Sequence, residues 1–389
     1  MSRDTKSVVR PQAEGQNPAA MHNQVNASAF DAASPRDADF LAPQAAGATT
    51  DVAPAEARPC AVEVATSGRW HSVPALVAGG TAVFLRGRWL RIGVVRDEDF
   101  AAEAVADPGR WVAALRRYRV AGRRADMFAF SQRLPDTEPR FDYPFERVSM
   151  AALRLETFET WWTQLPQETR KNVRRAERRG VEVRVQKLDR ELVRGIQAVN
   201  DECPVVQGKK SRFHGRSLPE VWKDHESFSD RSWWVCAYHG GELVGYMKIV
   251  HCGAFASVLT TLTRPSHADK RPANAILARV VRLCLEEGIP SLVYGQLNYG
   301  NKREGSLREF KLRNGFSEIL VPRYYVPLTL RGRIALRLGL HRGLLGALPP
   351  WAIRAALHGR DRWRRLRAGD RGHRAALPAG PAAAGDRDG

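Results

Sequence analysis

The chain has 389 residues, and its 61 lysines and arginines against 42 aspartates and glutamates give a formal net charge of +19. This length allows two domains, each with its own hydrophobic core. There is no run of about 18 consecutive apolar residues, and no long apolar segment follows Met1. The composition therefore excludes a membrane-spanning helix and predicts a cytoplasmic protein, free or held at the inner face of the membrane.

The positive charge is concentrated in two segments. Twelve arginines between Arg331 and Arg374 face only Asp361 and Asp370, and a second basic block runs from 170 to 179. The excess charge therefore marks two local surfaces and does not by itself indicate a nucleic-acid-binding protein. The five cysteines form no CxxC pair, so reduced core thiols are expected and no metal site is predicted. No tightly bound cofactor is predicted either.

The first part of the chain is expected to contain a disordered segment and a weakly patterned lobe. Residues 1–57 are rich in Ala, Asp, Pro, Gln, Asn and Ser and have no apolar period. The following pattern predicts a hairpin, a helix and a strand, at 82–95, 108–118 and 127–130. The same plan recurs more clearly further along the chain, so residues 58–150 are interpreted as a degenerate first lobe.

The basic block at 170–179 has the pattern of a helix followed by a strand. Gly180 is placed to end the helix in the left-handed conformation, and Val181, Val183 and Val185 then alternate as in a strand. Lysines and arginines recur four residues apart on this helix, which brings like charges together and costs stability. The basic face is either solvated or binds an anionic partner: the phosphates of coenzyme A, of a sugar nucleotide or of RNA.

The most informative stretch of the chain, 233–316, reads strand, turn, strand, strand, basic loop, helix, strand, loop, helix. Two strands rich in aromatic and β-branched residues flank the turn at 239–241 and predict a hairpin. A third strand ends at Pro265, and apolar residues at helical spacing predict a helix over 272–288. The short strand 292–294 follows. A right-handed crossover would place the helix N-terminus near the carboxyl ends of the strands.

Three segments resemble the FemAB-like branch of the GNAT acyltransferase superfamily, whose domains are also described as CelD/BioF-type acetyltransferase domains. The first, Leu165–Val183, is a helix followed by a glycine and a strand. The second, Glu242–Gly245, is a hairpin strand. The third, Ser306–Phe316, is a closing helix with a Phe-Lys pair before Gly-Phe. The resemblance runs from about Leu165 to Val326. It implies an α/β (α+β) fold, a GNAT-like mixed sheet flanked by helices, with lobes at 58–150 and 151–328. A basic helical extension at 329–368 and a disordered end at 369–389 complete the expected organisation.

The resemblance also implies a site for the acyl donor. In the superfamily, the segment between the third strand and the long helix holds the pyrophosphate of acetyl-CoA, because free N–H groups at a helix start suit an anion. Here that segment is 267–275, and it lacks the glycines of the family pattern. Lys270 and Arg271 could still supply charges to a phosphate, and acyl-CoA is the implied co-substrate. The predicted donor-binding residues are Leu262, Thr263, Lys270, Arg271, Ala273 and Asn274.

Acyl transfer needs a group that moves a proton and a donor for the tetrahedral oxyanion, but no covalent nucleophile. Polar residues just beyond strand ends are therefore the candidates. The predicted catalytic residues are Tyr294, Tyr299, Asn298 and His214, the tyrosines as proton donors and His214 as a base near neutral pH. For each tyrosine, aromatic packing with a bonded hydroxyl is the alternative. The predicted acceptor-binding residues are Gln207, Lys209, Arg212, Lys311 and Arg174, of which Lys311 matches the Phe-Lys position and the first three lie in a variable basic loop.

The basic extension has two interpretations. Leu330, Ile334, Leu338 and Leu345 fall on one helical stripe, although Leu336, Leu340 and Leu344 widen it. The leucines could pack on the body of the protein. Because arginines flank them, residues 331–368 could instead contact an anionic membrane surface.

The resulting hypothesis is an acyltransferase. It would move an acyl group from an activated, phosphate-bearing donor, an acyl-CoA or an aminoacyl-tRNA, to an amine or hydroxyl of a sugar or peptide such as a cell-envelope precursor. The alternative is an RNA- or anion-binding protein on a catalytically inactive GNAT-like fold, which would bind phosphates through the basic helix and the tail.

Overall fold

The computed structural model describes residues 57–66, 69–101, 105–206, 208–297 and 305–342. Of the segment predicted to be disordered, 1–57, only Ala57 is described, and it is buried. The predicted disorder at 369–389 lies outside the described residues, as does most of the basic extension, 343–368.

Most described strands belong to one mixed sheet. The chain opens with β1 (Arg58–Thr66), β2 (Arg69–Ala78), β3 (Thr81–Arg86), β4 (Ile92–Val95), α1 (Pro108–Arg117), β5 (Met127–Ser131) and β6 (Phe145–Arg154). It continues with α2 (Phe158–Gln164), α3 (Gln167–Arg178), β7 (Glu182–Gln186), α4 (Arg190–Asp201), the two-stranded ribbon β8 (Val205–Val206) and β9 (Lys209–Lys210), and α5 (Leu218–Glu226). The remaining elements are β10 (Ser232–His239), β11 (Glu242–His251), β12 (Ala256–Thr263), α6 (Pro272–Glu286), β13 (Ser291–Val293), α7 (Ser306–Arg313), β14 (Ser317–Pro327) and α8 (Leu330–Arg337).

The sheet contains the same plan twice. Its order is β1-β2-β3-β4-β5-β14-β6-β13-β12-β11-β10-β7. In the first lobe, β1 to β4 are antiparallel neighbours, α1 crosses over, and β5 returns parallel to β4. In the second lobe, β7, β10, β11 and β12 are antiparallel neighbours, α6 crosses over, and β13 returns parallel to β12. The predicted fold class, a mixed sheet flanked by helices and containing two similar lobes, is confirmed.

The two lobes are interlocked by an exchange of strands. β6 follows the first lobe in the chain but pairs with β13 of the second lobe, and β14 follows the second lobe but pairs with β5 of the first. β6 and β14 also pair with each other at the centre of the sheet. Each lobe therefore covers the open sheet edge of the other, which an isolated lobe would expose. The boundary expected at residue 150 lies inside β6.

Helices cover both faces of the second lobe. On β10, Val235 and Ala237 point into the core beneath α6, whereas Trp234 and Cys236 point into the core beneath α4. The basic helix α3 packs on the same face as α6. It does so through Thr169, Val173 and Ala176, which are buried at helical spacing. Gly180 ends α3 in the left-handed region with a φ of 74°, as the sequence predicted.

The cysteines are free thiols in the described part of the chain, and four of them are buried, on or beside the second-lobe sheet: Cys203, Cys236, Cys252 and Cys284. Cys60 is exposed, which corrects the expectation that all five lie in the core. Among the described residues, no helix is long and apolar enough to cross a membrane.

The last described α-helix, α8, packs against the first lobe. Asp126 holds it there, because its carboxylate accepts hydrogen bonds from the Arg91 backbone N–H at 3.0 Å, from Arg91 Nε at 3.1 Å and from the Thr329 hydroxyl at 3.0 Å. Burial raises the pKa of Asp126, but these hydrogen bonds outweigh it and hold the pKa below its ordinary value.

We expect Asp126→Asn to destabilise the protein by about 1.5 to 3 kcal/mol at pH 7, since the hydrogen bonds lose their charged acceptor. Because the folded pKa is depressed, the stabilisation is present above the ordinary pKa of 3.8 and is lost as pH falls below it. Urea unfolding at pH 7 and at pH values well below 3.8, down to about 2, measures both effects. Asp136→Asn, which removes an exposed pair with Arg140, is the control and should cost less than about 0.5 kcal/mol.

Candidate acyl-transfer site

The site begins where two parallel strands separate. β12 pairs with β13 only at Ala256–Leu292 and Ser257–Val293. After Val293 the chain turns towards β6, where the Tyr294 N–H donates to the Ala151 carbonyl at 2.8 Å and the Ala151 N–H donates to the Gly295 carbonyl at 2.7 Å. β12 continues to Thr263 on the other side. The strands therefore diverge towards their carboxyl ends, and no described strand pairs with the edge of β12 in that opening.

The predicted donor segment links the end of β12 to α6. A 3-10 helix, Pro265–Lys270, leads to Arg271, which has φ 59° and ψ 42°, and Pro272 opens α6. Arg271 thus adopts the left-handed conformation that glycine favours at such a position, at a cost of about 1 kcal/mol. The absence of glycine from the segment does not remove the conformation. As predicted, the N-terminus of α6 lies at the carboxyl edge of the parallel strands.

The cations around this helix start are not fully neutralised. Asp269 pairs with Lys270 at 3.6 Å and also with Arg179 at the end of α3. One carboxylate therefore serves two cations. Arg271 Nε is buried and has no hydrogen-bond partner within the described ranges. Burial and then Lys270 lower the pKa of His267 in the same segment, as expected beside excess positive charge.

Asn314 connects the donor segment to the closing helix. Asn274 Nδ2, in the first turn of α6, donates to Asn314 Oδ1 at 3.3 Å. The Asn314 side chain in turn donates to the Phe310 carbonyl at 2.7 Å, and its carbonyl accepts from Trp161 Nε1 at 3.1 Å. These bonds fix α7 beside the start of α6. Sequence reasoning missed Asn314, although its position just before Gly315 marks it as the end of a helix.

Lys311 of α7 lies beneath the chain that leaves β13. Its Nζ donates to the Gln296 carbonyl at 2.8 Å and stands 4.6 Å from the centroid of the Tyr294 ring. Both side chains are fully buried. Burial lowers the pKa of Lys311 from 10.5 to about 7. A lysine of that pKa is partly neutral at physiological pH and can accept a proton, which an exposed lysine does not do.

The other predicted residues fall in three places. Leu262 and Thr263 are buried at the end of β12, and Ala273 is buried in the first turn of α6. Arg174 is exposed on α3, with its guanidinium 5.7 Å from the Trp162 ring. The described residues predicted in the basic loop lie beside α5. Gln207, Asn298 and Tyr299 lie outside the described residues.

The residues predicted in the basic loop lie on the face of the sheet that carries α4 and α5. Lys209 is exposed on β9, and His214 is exposed before α5. Arg212 lies over the Phe213 ring at 4.5 Å, and burial lowers its pKa while Asp224 opposes the shift. The structure therefore brings the donor residues together with Tyr294 and Lys311, and it places the basic-loop residues on another face.

A cavity of about 360 Å³ lies elsewhere, between β6, β14 and α8. Glu146, Tyr325 and His341 line it, and none of the predicted site residues does. Within the described ranges, no group of three or more His, Cys, Asp or Glu side chains could hold a metal ion.

Comparison with known proteins finds a family model that matches most of the second lobe. The family model of the acetyltransferase (GNAT) domain matches residues 167–304. No curated protein matches the chain.

The solved structures that are similar include FemX, with 9% identity and a TM-score of 0.48, covering 72% of this chain and 90% of that one. L-PGS from Bacillus licheniformis has 15% identity and a TM-score of 0.42, covering 69% and 86%. A tandem GNAT protein from the clavulanic acid biosynthesis pathway has 14% identity and a TM-score of 0.33, covering 66% and 83%. The GNAT resemblance predicted from the sequence is confirmed over residues 167–304.

Proposed function

We propose, from the GNAT acetyltransferase domain that covers residues 167–304, that this protein transfers an acyl group from an acyl-CoA to an amine or hydroxyl acceptor. The observation that carries the proposal is the opening between β12 and β13, with the start of α6 at one end and Lys311 close to the other strand. An opening of this kind at the carboxyl ends of parallel strands is a usual ligand position in open α/β sheets.

The donor would bind along the opening. Its phosphates would lie at the first turn of α6, where N–H groups without intrahelical acceptors, Lys270 and Arg271 supply positive charge. The acyl arm would extend along the edge of β12, whose backbone groups in the opening have no described strand partner. A backbone N–H of this edge could then bond the oxygen of the reacting carbonyl.

The reaction would need one side chain that takes up a proton. The nitrogen or oxygen of the acceptor substrate attacks the thioester carbon, the new C–N or C–O bond forms, and the C–S bond breaks when the tetrahedral intermediate collapses. Lys311, with a pKa of about 7, would take the proton that the acceptor loses. The departing thiolate would receive a proton in return, so no oxidant, metal or covalent enzyme intermediate is required. Tyr294, which lies against Lys311, would position it, a more limited role than the proton donor first predicted.

The reacting group of the acceptor would enter the opening between β12 and β13 to reach Lys311, while the rest of the acceptor would lie on the face that carries α4 and α5. Lys209 and His214 are exposed there, and Arg212 lies near them. The cationic side chains of Lys209 and Arg212 suit an anionic sugar or peptide, such as a cell-envelope precursor. The choice between amine and hydroxyl would follow from the acceptor that fits this face.

An aminoacyl-tRNA is the second candidate for the donor. The basic helix α3 is adjacent to the donor segment, because Arg179 pairs with Asp269. Lys171, Arg174 and Arg178 are exposed on the same helix and could contact the phosphates of a nucleic acid. Binding of RNA without any transfer would instead favour the catalytically inactive alternative.

Purified protein incubated with acetyl-CoA, longer acyl-CoAs and charged tRNA should distinguish these donors. At a hundredfold excess over its Kd, the true donor should stabilise the fold by about 2.7 kcal/mol, measured as a thermal shift of a few degrees. We expect an acyl-CoA to do so and to release free thiol when acceptor amines are added. tRNA binding that weakens steeply with salt, together with no response to any acyl-CoA, would contradict the acyl-CoA proposal.

A further inference from the structure

The helix α8 carries its apolar residues in an inverted arrangement. In most surface helices the large apolar side chains face the core. In α8 the face towards the protein is formed by Gly332 and Ala335, both buried, and by Leu336, which packs on the first lobe. A Cβ on Gly332 would stand 1.9 Å from the Asp126 carbonyl oxygen, so no other residue fits there. The small residues Gly332 and Ala335 therefore let α8 lie close to the sheet.

The large apolar residues of α8 face solvent. Leu330, Ile334 and Leu338 are 69%, 50% and 61% exposed, and their spacing of four places them in one row along the helix. An exposed aromatic residue lies towards each end of this row. Trp89, 60% exposed, is next to the first turn, since its carbonyl accepts from Arg331 at 3.3 Å. Phe145, 42% exposed, shares the lining of the cavity with Leu338. These five side chains are named the α8 stripe.

The charged residues of α8 are all positive, and the one acidic residue that lines the cavity beside it, Glu146, pairs with Arg342 at 2.7 Å. α8 contains Arg331, Arg333 and Arg337 and no acidic residue, and Arg342 follows it. The sequence from 343 to 374 adds eight more arginines against two aspartates. A second copy of the same surface would bring like charges together. An anionic lipid surface satisfies both features, because it accepts apolar side chains and attracts the arginines beside them.

We propose that the α8 stripe is a docking surface for an anionic membrane. The three aliphatic side chains would enter the boundary between headgroups and acyl chains, with Trp89 and Phe145 at the level of the headgroups. The arginines would lie over the lipid phosphates. The protein would then lie on the membrane without crossing it. This inference is independent of the proposed acyl transfer and of the site between β12 and β13.

The test is co-sedimentation of the full chain with vesicles of phosphatidylcholine alone or mixed with phosphatidylglycerol. We expect binding to the mixed vesicles and little binding to the neutral ones. The variant Leu330→Ser, Ile334→Ser, Leu338→Ser keeps every arginine and should lower the partition coefficient by roughly a hundredfold or more, since three apolar side chains no longer insert. The matched control is Val205→Ser, Leu218→Ser, Leu320→Ser, which alters three exposed apolar residues away from α8 and should bind as wild type does.

Three results would overturn the proposal. The first is equal binding of the stripe variant and the wild type, since attraction through the arginine-rich tail alone would then account for it. The second is a fall of several degrees in the melting temperature of the stripe variant, which would mean that another part of the chain covers the stripe. The third is a wild-type dimer that the stripe variant converts to a monomer, seen by light scattering, without any lipid binding.

Discussion

Lys311→Met is expected to lower kcat by at least about a hundredfold and at the same time to stabilise the fold. The loss of rate follows from removal of the proposed proton acceptor, a role that contributes about 10² to 10⁴ in other enzymes. The gain in stability has a separate cause. Lowering the pKa of a lysine from 10.5 to about 7 by burial means that the charged form is disfavoured on folding by several kcal/mol, on the order of 5. Methionine fills similar space without a charge.

The pH dependence separates the two effects. The folded pKa of Lys311 is depressed, so between about 7 and 10.5 the unfolded chain binds more protons than the folded protein. The free energy of unfolding of the wild type should therefore rise with pH across that window, relative to that of Lys311→Met. The variant should exceed the wild type in stability by the largest amount below pH 7. Wild-type kcat/KM should rise with pH around a midpoint of about 7, as the lysine becomes neutral.

Lys248→Met is the matched control for this experiment. Lys248 is also fully buried, and burial followed by Arg231 lowers its pKa to about 7. It lies on the opposite face of the sheet, where its Nζ donates to the His225 carbonyl at 2.7 Å and stands 4.8 Å from the Trp234 ring. Its replacement should leave kcat within about twofold of wild type. Similar rate losses in both variants would show that any buried lysine is needed for the fold, and would remove Lys311 from the reaction.

Arg271→Gly is expected to raise the KM for the acyl-CoA by about tenfold to a hundredfold with little change in kcat. A hydrogen bond to a charged group contributes about 1.5 to 3 kcal/mol, and binding that is equal in the ground and transition states appears in KM alone. Glycine is the informative replacement because Arg271 has a φ of 59°. Glycine adopts that conformation without strain, so the start of α6 should be retained and the melting temperature should not fall.

Arg178→Ala removes an exposed arginine from the last turn of α3 and serves as the control. Its kinetics with an acyl-CoA should match those of the wild type. Initial rates at varied donor concentration, with thiol release as the readout, measure both variants. An unchanged KM in Arg271→Gly would place the phosphates elsewhere and leave the donor segment as an ordinary turn.

The local elements of the second lobe could be predicted because each depends on residues close in sequence. Runs of aromatic and β-branched residues on either side of a turn predicted β10 and β11, and apolar residues at helical spacing predicted α6. Gly180 ended α3 for the same reason. The hairpin, helix and strand predicted in the first lobe are present as β3, β4, α1 and β5; within the described residues, α1 is the one α-helix between β4 and β5, and the lobe has no counterparts of α4 and α5.

The candidate site could be predicted only in part. The order strand, basic loop, helix located Lys270 and Arg271, and the Phe-Lys resemblance located Lys311. From the Phe-Lys resemblance Lys311 was predicted to hold a phosphate or carboxylate of the substrate, with an exposed lysine on a helix surface as the alternative. Its burial beneath Gln296 and Tyr294 depends on how α7 meets the chain beyond β13, and so does its lowered pKa.

The amino-acid sequence by itself determined which residues form strands and helices, where the basic loop stands and which side of α8 carries leucine and isoleucine. The tertiary structure alone decided that β6 and β14 exchange between the lobes, that β12 and β13 separate after two residue pairs, and that the leucine side of α8 faces outward. The reason is the same in each case. Periodicity and turn chemistry act over a few residues, whereas strand partners, the burial of Lys311 and the contact of Gly332 with Asp126 depend on segments far apart in the chain, whose meeting is set by the packing of the whole sheet.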